Sequence, residues 1–145
     1  MKRGGSVNVA KLLLFISIAV TSLLIVSVSI AGQEDIPRIG IKELKKMIDE
    51  GEEVTIIDTQ PKAIYDKGHI KGAVSIPWKS QLLLEDVWSI QGGVPVVIYC
   101  ACGPGESDST DAARQLIKMG YSDVMVLKHP AIEGWKDAGY PIEKK

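Results

Sequence analysis

The chain has 145 residues, 46% of them hydrophobic, with 17 basic and 18 acidic side chains and a net charge of −1. It has no basic run and no interleaving of aromatic and basic residues, which excludes the electrostatic footprint of a nucleic-acid binder. Its two cysteines, Cys100 and Cys102, stand two positions apart; a bridge between them closes almost no loop and constrains the unfolded chain little, so they point to chemistry rather than to stapling.

Met1–Lys11 is short and basic, through Lys2, Arg3 and Lys11, and Leu12–Ile30 is free of charge. As a helix that apolar run spans roughly 28 Å, about one bilayer core. Two readings stay open. The small-residue site Ser29-Ile30-Ala31 suits a cleaved secretory signal, whereas the length of the run suits an uncleaved membrane anchor. Both carry everything after Gly32 across the membrane, because the basic residues stay on the cytoplasmic side. The expected organisation is therefore a signal peptide or N-terminal hydrophobic helix at 1–32, a linker at 33–37 and one domain at 38–145. The domain is expected in the periplasm or another extracytoplasmic space. Beyond residue 32 there are 14 basic and 18 acidic side chains, and the length suits a single domain.

Within the domain, Arg38-Ile39-Gly40 reads as a short first strand. Ile41–Glu50 reads as a helix, with Ile41, Leu44, Met47 and Ile48 on one face and Gly51 at its end. Val54–Asp58 is a β-branched strand, and Pro61–Lys67 one or two helical turns stopped by Gly68. His69-Ile70-Lys71-Gly72 leads into a strand at Ala73–Ile76. Gln81–Trp88 is expected to be helical, with Leu82, Leu83, Val87 and Trp88 turned inward. Val94–Tyr99 is a strand that delivers Cys100. A helix then runs to Met119, capped by Ser107 or Ser109, with Ala112, Ala113, Leu116 and Ile117 facing the core. Asp123–Leu127 is the last strand, Ala131–Ala138 a short helix, and Gly139-Tyr140-Pro141-Ile142 closes the domain. Strands alternating with helices predict an α/β fold, a parallel sheet covered on both faces.

The chemistry concentrates after Tyr99. A buried strand ending in a thiol, then a glycine-rich loop and a helix N-terminus, places Cys100 at the carboxyl edge of the sheet, where open α/β folds bind ligands. Nucleophilic attack needs a thiolate, which a helix N-terminus and converging N–H groups favour. The candidate anion-binding loop is Ala101, Cys102, Gly103, Pro104, Gly105, Glu106 and Ser107, acting through its backbone. Glu106, Asp108 and Asp111 make it acidic, which opposes an anionic substrate unless they point away. Asp58 is expected either to orient the loop or to cap the Pro61 turn, and His69 to hold its turn by a side-chain hydrogen bond or to act as a base. His129, just after the last strand, is a candidate pocket residue; Trp135 is expected in the core. Cys100, Cys102 and a histidine include metal-ligand types, but no spacing defines a site, so neither a metal nor a cofactor is expected.

Three segments together resemble a rhodanese domain. Ile57-Asp58-Thr59-Gln60 through Gly68-His69-Ile70-Lys71-Gly72-Ala73-Val74-Ser75-Ile76-Pro77 resembles the family's early Asp and GHI-x-GA-x-x-IP pattern. Val96–Cys100 places a cysteine where the family carries sulfur. Gly120-Tyr121-Ser122-Asp123-Val124 and Ile132-Glu133-Gly134-Trp135-Lys136-Asp137-Ala138-Gly139-Tyr140-Pro141 are similar to its closing pattern. The resemblance implies a five-stranded parallel sheet between helices. It also implies that Cys100 takes sulfane sulfur as a persulfide from a small sulfur-containing donor and passes it to a thiol acceptor. The active loop departs from the usual form. It has Gly105 and Glu106 where an arginine is expected, no basic residue before Arg114, and a Cys-x-Cys-Pro-x-Glu-like pattern with Gly103 inserted. The missing arginine also argues against a related phosphatase activity. Cys102 is open to two readings, a packing residue or a redox partner that resolves the persulfide, and the ring such a bridge closes would be small and readily reduced. A sulfurtransferase is thus the leading expectation. A non-catalytic sulfur-carrying, redox-sensing or partner-binding module is the alternative, and no protein partner is identified.

Overall fold

Five short strands build one parallel sheet: β1 (Arg38–Ile39), β2 (Thr55–Asp58), β4 (Val74–Ser75), β5 (Val96–Tyr99) and β6 (Val124–Leu127), in the order β1-β6-β5-β2-β4. The computed structural model describes residues 35–145. The apolar stretch at 12–30, and with it the choice between signal and anchor, lies outside them. Among the described residues no helix is long and apolar enough to cross a membrane.

The central strand β5 is buried along its whole length. Its Val-Val-Ile-Tyr sequence is the near-continuous apolar run that a parallel strand covered on both faces requires. Successive side chains alternate between faces, and two cores result. Ile57, Ile98 and Val126 face Leu82, Val87, Ala112, Ala113 and Leu116. Ile56, Val97 and Leu127 face Leu44, Ile132 and Trp135. The covering helices are α1 (Ile41–Asp49), α2 (Lys62–Tyr65), α3 (Leu84–Val87), α4 (Ser107–Lys118) and α5 (Ala131–Asp137).

Three expectations need correction. The segment around His69 is not a simple lead-in: β3 (His69–Ile70) pairs antiparallel with β7 (Ile142–Glu143) in a separate two-stranded sheet. That pairing joins residues far apart in the chain, and neither dipeptide carries a strand signal alone. The helix expected over Gln81–Trp88 is the single turn α3. Leu82 and Val87 are buried, but Leu83 is exposed and Trp88 is 83% exposed. One turn offers one inward position per 3.6 residues, so four apolar side chains cannot all face the core. Finally, neither Ser107 nor Ser109 caps α4; the N-cap is Glu106.

Register positions the site. Asp58 of β2 lies beside Tyr99 of β5, so the two strands end level and Cys100 emerges one residue beyond.

Candidate functional site

Cys100 leaves the end of β5 and is only 5% exposed. Its Sγ lies 3.5 Å from the Oγ of Ser109, a fully buried residue in the first turn of α4. Cys100 and Cys102 are joined by a disulfide, their Cα atoms 5.4 Å apart, and Cys102 is half-buried. Both border a cavity of about 310 Å³ whose other walls are Gln60, Pro61 and Ile64 from the end of β2 and α2, with Asp108 and Ala101 from the loop side. The N–H groups of Ala101, Cys102, Gly103 and Gly105 have no protein acceptor among the described residues.

The loop turns through three left-handed residues, Gly103 (φ +78°), Gly105 (φ +97°) and Glu106 (φ +47°). Glycine takes this conformation without a Cβ clash; a side-chain residue does so at about 1–2 kcal/mol. Glu106 is held there by contacts on every side. Its carboxylate accepts hydrogen bonds from Arg38 Nε at 3.1 Å and from the His129 backbone N–H at 2.8 Å. Its carbonyl accepts from the Thr110 N–H at 2.8 Å and Ser109 Oγ at 3.1 Å. Glu106 therefore pins the start of α4 to β1 and to the turn after β6, and its charge faces Arg38. Of the three carboxylates, Glu106 is thus the one paired with a cation among the described residues. Asp111 accepts from Trp78 Nε1 and Gln115 Nε2, and Asp108 alone of the three carboxylates lines the cavity.

Burial alone would raise the Glu106 carboxyl, but the His129 N–H and the Arg38 guanidinium outweigh it and hold the group below its ordinary value. A lowered carboxylate stabilises the fold fully above its unfolded value of about 4.3, and the stabilisation is lost as the pH falls through the lowered folded value. Glu106→Gln is accordingly expected to be less stable than the parent at pH 7, with the gap closing toward pH 3. Urea unfolding of both chains at the two pH values measures it; a gap of the same size at both would exclude a role for the charge.

Asp58 ends β2, two residues before Gln60 of the cavity wall, and is fully buried. Its Oδ1 accepts from the Gln60 N–H at 2.8 Å, and its Oδ2 accepts from the Tyr99 hydroxyl at 2.7 Å and Gln60 Nε2 at 3.1 Å. The Tyr99 hydroxyl accepts in turn from the Ile70 N–H, and Thr59 donates to the Tyr99 carbonyl through both N–H and Oγ1. Asp58 thus closes the turn before Pro61 and also braces the strand that carries Cys100. Burial pushes its carboxyl up, while the Tyr99 and Gln60 donors pull it partly back.

His69 is buried and stacks on Tyr65, ring centroids 3.6 Å apart, and its Nδ1 bonds the Tyr65 carbonyl at 2.8 Å. A carbonyl only accepts, so Nδ1 carries the proton. His69 holds its turn in this way and does not join the loop. His129 reaches the site through its backbone N–H while its residue is exposed. Ala101, Pro104 and Ser107 lie on the exposed rim. Arg114 is an exposed residue of α4, and the cation that meets the loop is Arg38. Ser109, Tyr99, Gln60 and Arg38 were not among the expected site residues. Ser109 had a local signal, as one of three hydroxyls opening a helix, and Gln60 meets Asp58 two positions away; Tyr99 and Arg38 come into place through the pairing of distant segments.

A family model described as the rhodanese-like domain matches residues 40–138. A crystal structure of a Bacillus halodurans protein superposes with a TM-score of 0.66 at 25% identity, over 74% of this chain and 77% of that one. The solution structure of the rhodanese-like domain of an Anabaena protein gives 0.61 at 28% identity, over 75% and 80%. Thiosulfate sulfurtransferase from Pseudomonas aeruginosa gives 0.61 at 22% identity, over 75% of this chain and 20% of that one, a likeness of fold alone. A comparison with curated proteins finds no match.

Proposed function

The chain belongs to the rhodanese-like domain family, and on that premise we propose that it is an exported or membrane-anchored sulfurtransferase carrying sulfane sulfur as a persulfide on Cys100. The supporting observation is the position of the Cys100 Sγ, at the end of the central strand, against the first turn of α4 and on the wall of the 310 Å³ cavity. The positive end of a 12-residue helix favours a thiolate there. Ser109 can turn its one hydroxyl proton from the Glu106 carbonyl to the sulfur, since a hydroxyl rotates to suit its partners.

Transfer begins from the reduced pair. The Cys100 thiolate attacks the outer sulfur of a donor, the donor's S–S bond breaks, and sulfite or a thiolate leaves with the electron pair. The loop N–H groups without a protein acceptor are available to the new anionic persulfide. A thiol acceptor then takes the outer sulfur and Cys100 leaves as thiolate.

The test uses the full chain carrying Cys102→Ser, in which Cys100 cannot be lost to the disulfide. Incubated with thiosulfate or a polysulfide, it should gain the mass of one sulfur atom and deliver that sulfur to cyanide or a thiol. No gain with either donor refutes the proposal. The disulfide also favours a second reading, a redox-sensing or sulfur-carrying module, for which the expected result is a persulfide that forms without turnover.

A further inference from the structure

Cys102 stands in bonding position to Cys100 while the strand end, the loop and α4 keep the packing described above. We propose that Cys102 is the resolving residue of this site, converting bound sulfane sulfur to sulfide. This rests on the Cys100 persulfide reading and deepens it.

Three observations carry the inference. The two sulfurs are bonded with the Cα atoms only 5.4 Å apart, so Cys102 reaches the inner sulfur of a Cys100 persulfide. Both cysteines wall the same cavity, so the displaced sulfur has an exit. Their exposure is unequal: Cys100 is buried and Cys102 half-buried. An incoming thiolate therefore meets Cys102 first, and Cys100 is the leaving group, beside Ser109 and the start of α4. Thiol–disulfide exchange runs faster when the leaving thiolate is the better stabilised one.

The outer sulfur of the persulfide first takes a proton from solvent; the Cys102 thiolate attacks the Cys100 Sγ; the bond from Sγ to the outer sulfur breaks; hydrosulfide leaves with the electron pair and that proton. The sulfane sulfur is reduced by two electrons, and the two cysteines are oxidised to the disulfide. Resetting the site takes a dithiol reductant, which attacks Cys102, becomes a disulfide itself and returns Cys100 as thiolate.

The experiment is a single turnover on the pre-reduced full chain, freed of reductant and given one equivalent of thiosulfate, whose leaving group is sulfite and not sulfide. The parent chain should release close to one sulfide per chain and end two hydrogen masses lighter, as the disulfide. Cys102→Ser and Cys102→Ala should instead hold the added sulfur and release at least tenfold less sulfide over the same time. A parent chain that keeps its persulfide as long as both variants overturns the resolving role and leaves the Cys100 reading standing. Variants that take up no sulfur at all overturn both.

Discussion

Replacing Cys100 by serine in a chain that already carries Cys102→Ser should abolish the gain of one sulfur atom completely while leaving the fold intact. The chain has no third cysteine, so no other thiol can take the sulfur. Serine fits the space of cysteine, and its hydroxyl meets a partner already in place, Ser109 Oγ, which lies 3.5 Å from the Cys100 Sγ. A buried hydroxyl that finds a hydrogen bond costs little, about 1 kcal/mol, so the change in thermal midpoint should be a few degrees. Intact mass and a melting curve on the same sample separate the two effects. Sulfur retained by the double variant would refute Cys100 as the carrier, and a melting curve lost altogether would show that the site is a structural element first.

Trp135→Ala should be the most damaging substitution to stability, at about 3–5 kcal/mol. The indole is 1% exposed and packs in the core that also holds Leu44, Val97 and Ile132. The Tyr140 ring meets it edge-on, centroids 5.0 Å apart, and its Nε1 donates to the Pro141 carbonyl at 2.8 Å. Truncation therefore opens a cavity, loses the aromatic contact and removes the donor that ties α5 to the approach to β7. A domain of this size is stable by about 5–15 kcal/mol, so the variant should lie close to unfolding at room temperature. Urea denaturation should show the midpoint falling with an unchanged slope. A loss below about 1 kcal/mol would mean that the indole is not a support of this core.

The sequence carried the frame of the site. The alternation of β-branched runs with helical periodicity gave the α/β class, because burial on two faces or on one stripe leaves its period in the local order of residues. The end of the Val94–Tyr99 run placed Cys100 at the sheet edge, and the glycines after it marked a loop, which turns left-handed at Gly103 and Gly105. Trp135 was legible as core. These are local properties, settled by which side chains neighbour one another along the chain.

Charge was not legible in that way. Glu106 reads along the chain as one of three carboxylates opposing an anion, yet in the fold its carboxylate is spent on Arg38, 68 positions away, and on the His129 N–H. Asp58 was open to two roles: its turn is closed by the local Gln60 donors, while β2–β5 register, by setting it beside Tyr99, makes it also a brace of the strand. His69 pairs in a strand only because the closing segment returns to meet it. The sequence by itself determined where the thiol stands and what backbone surrounds it. Which charges face that thiol was decided only by the tertiary structure, because parallel strands joined by crossovers bring together residues whose separation in sequence hides the pairing, and a carboxylate's effect is set by its nearest partner in space.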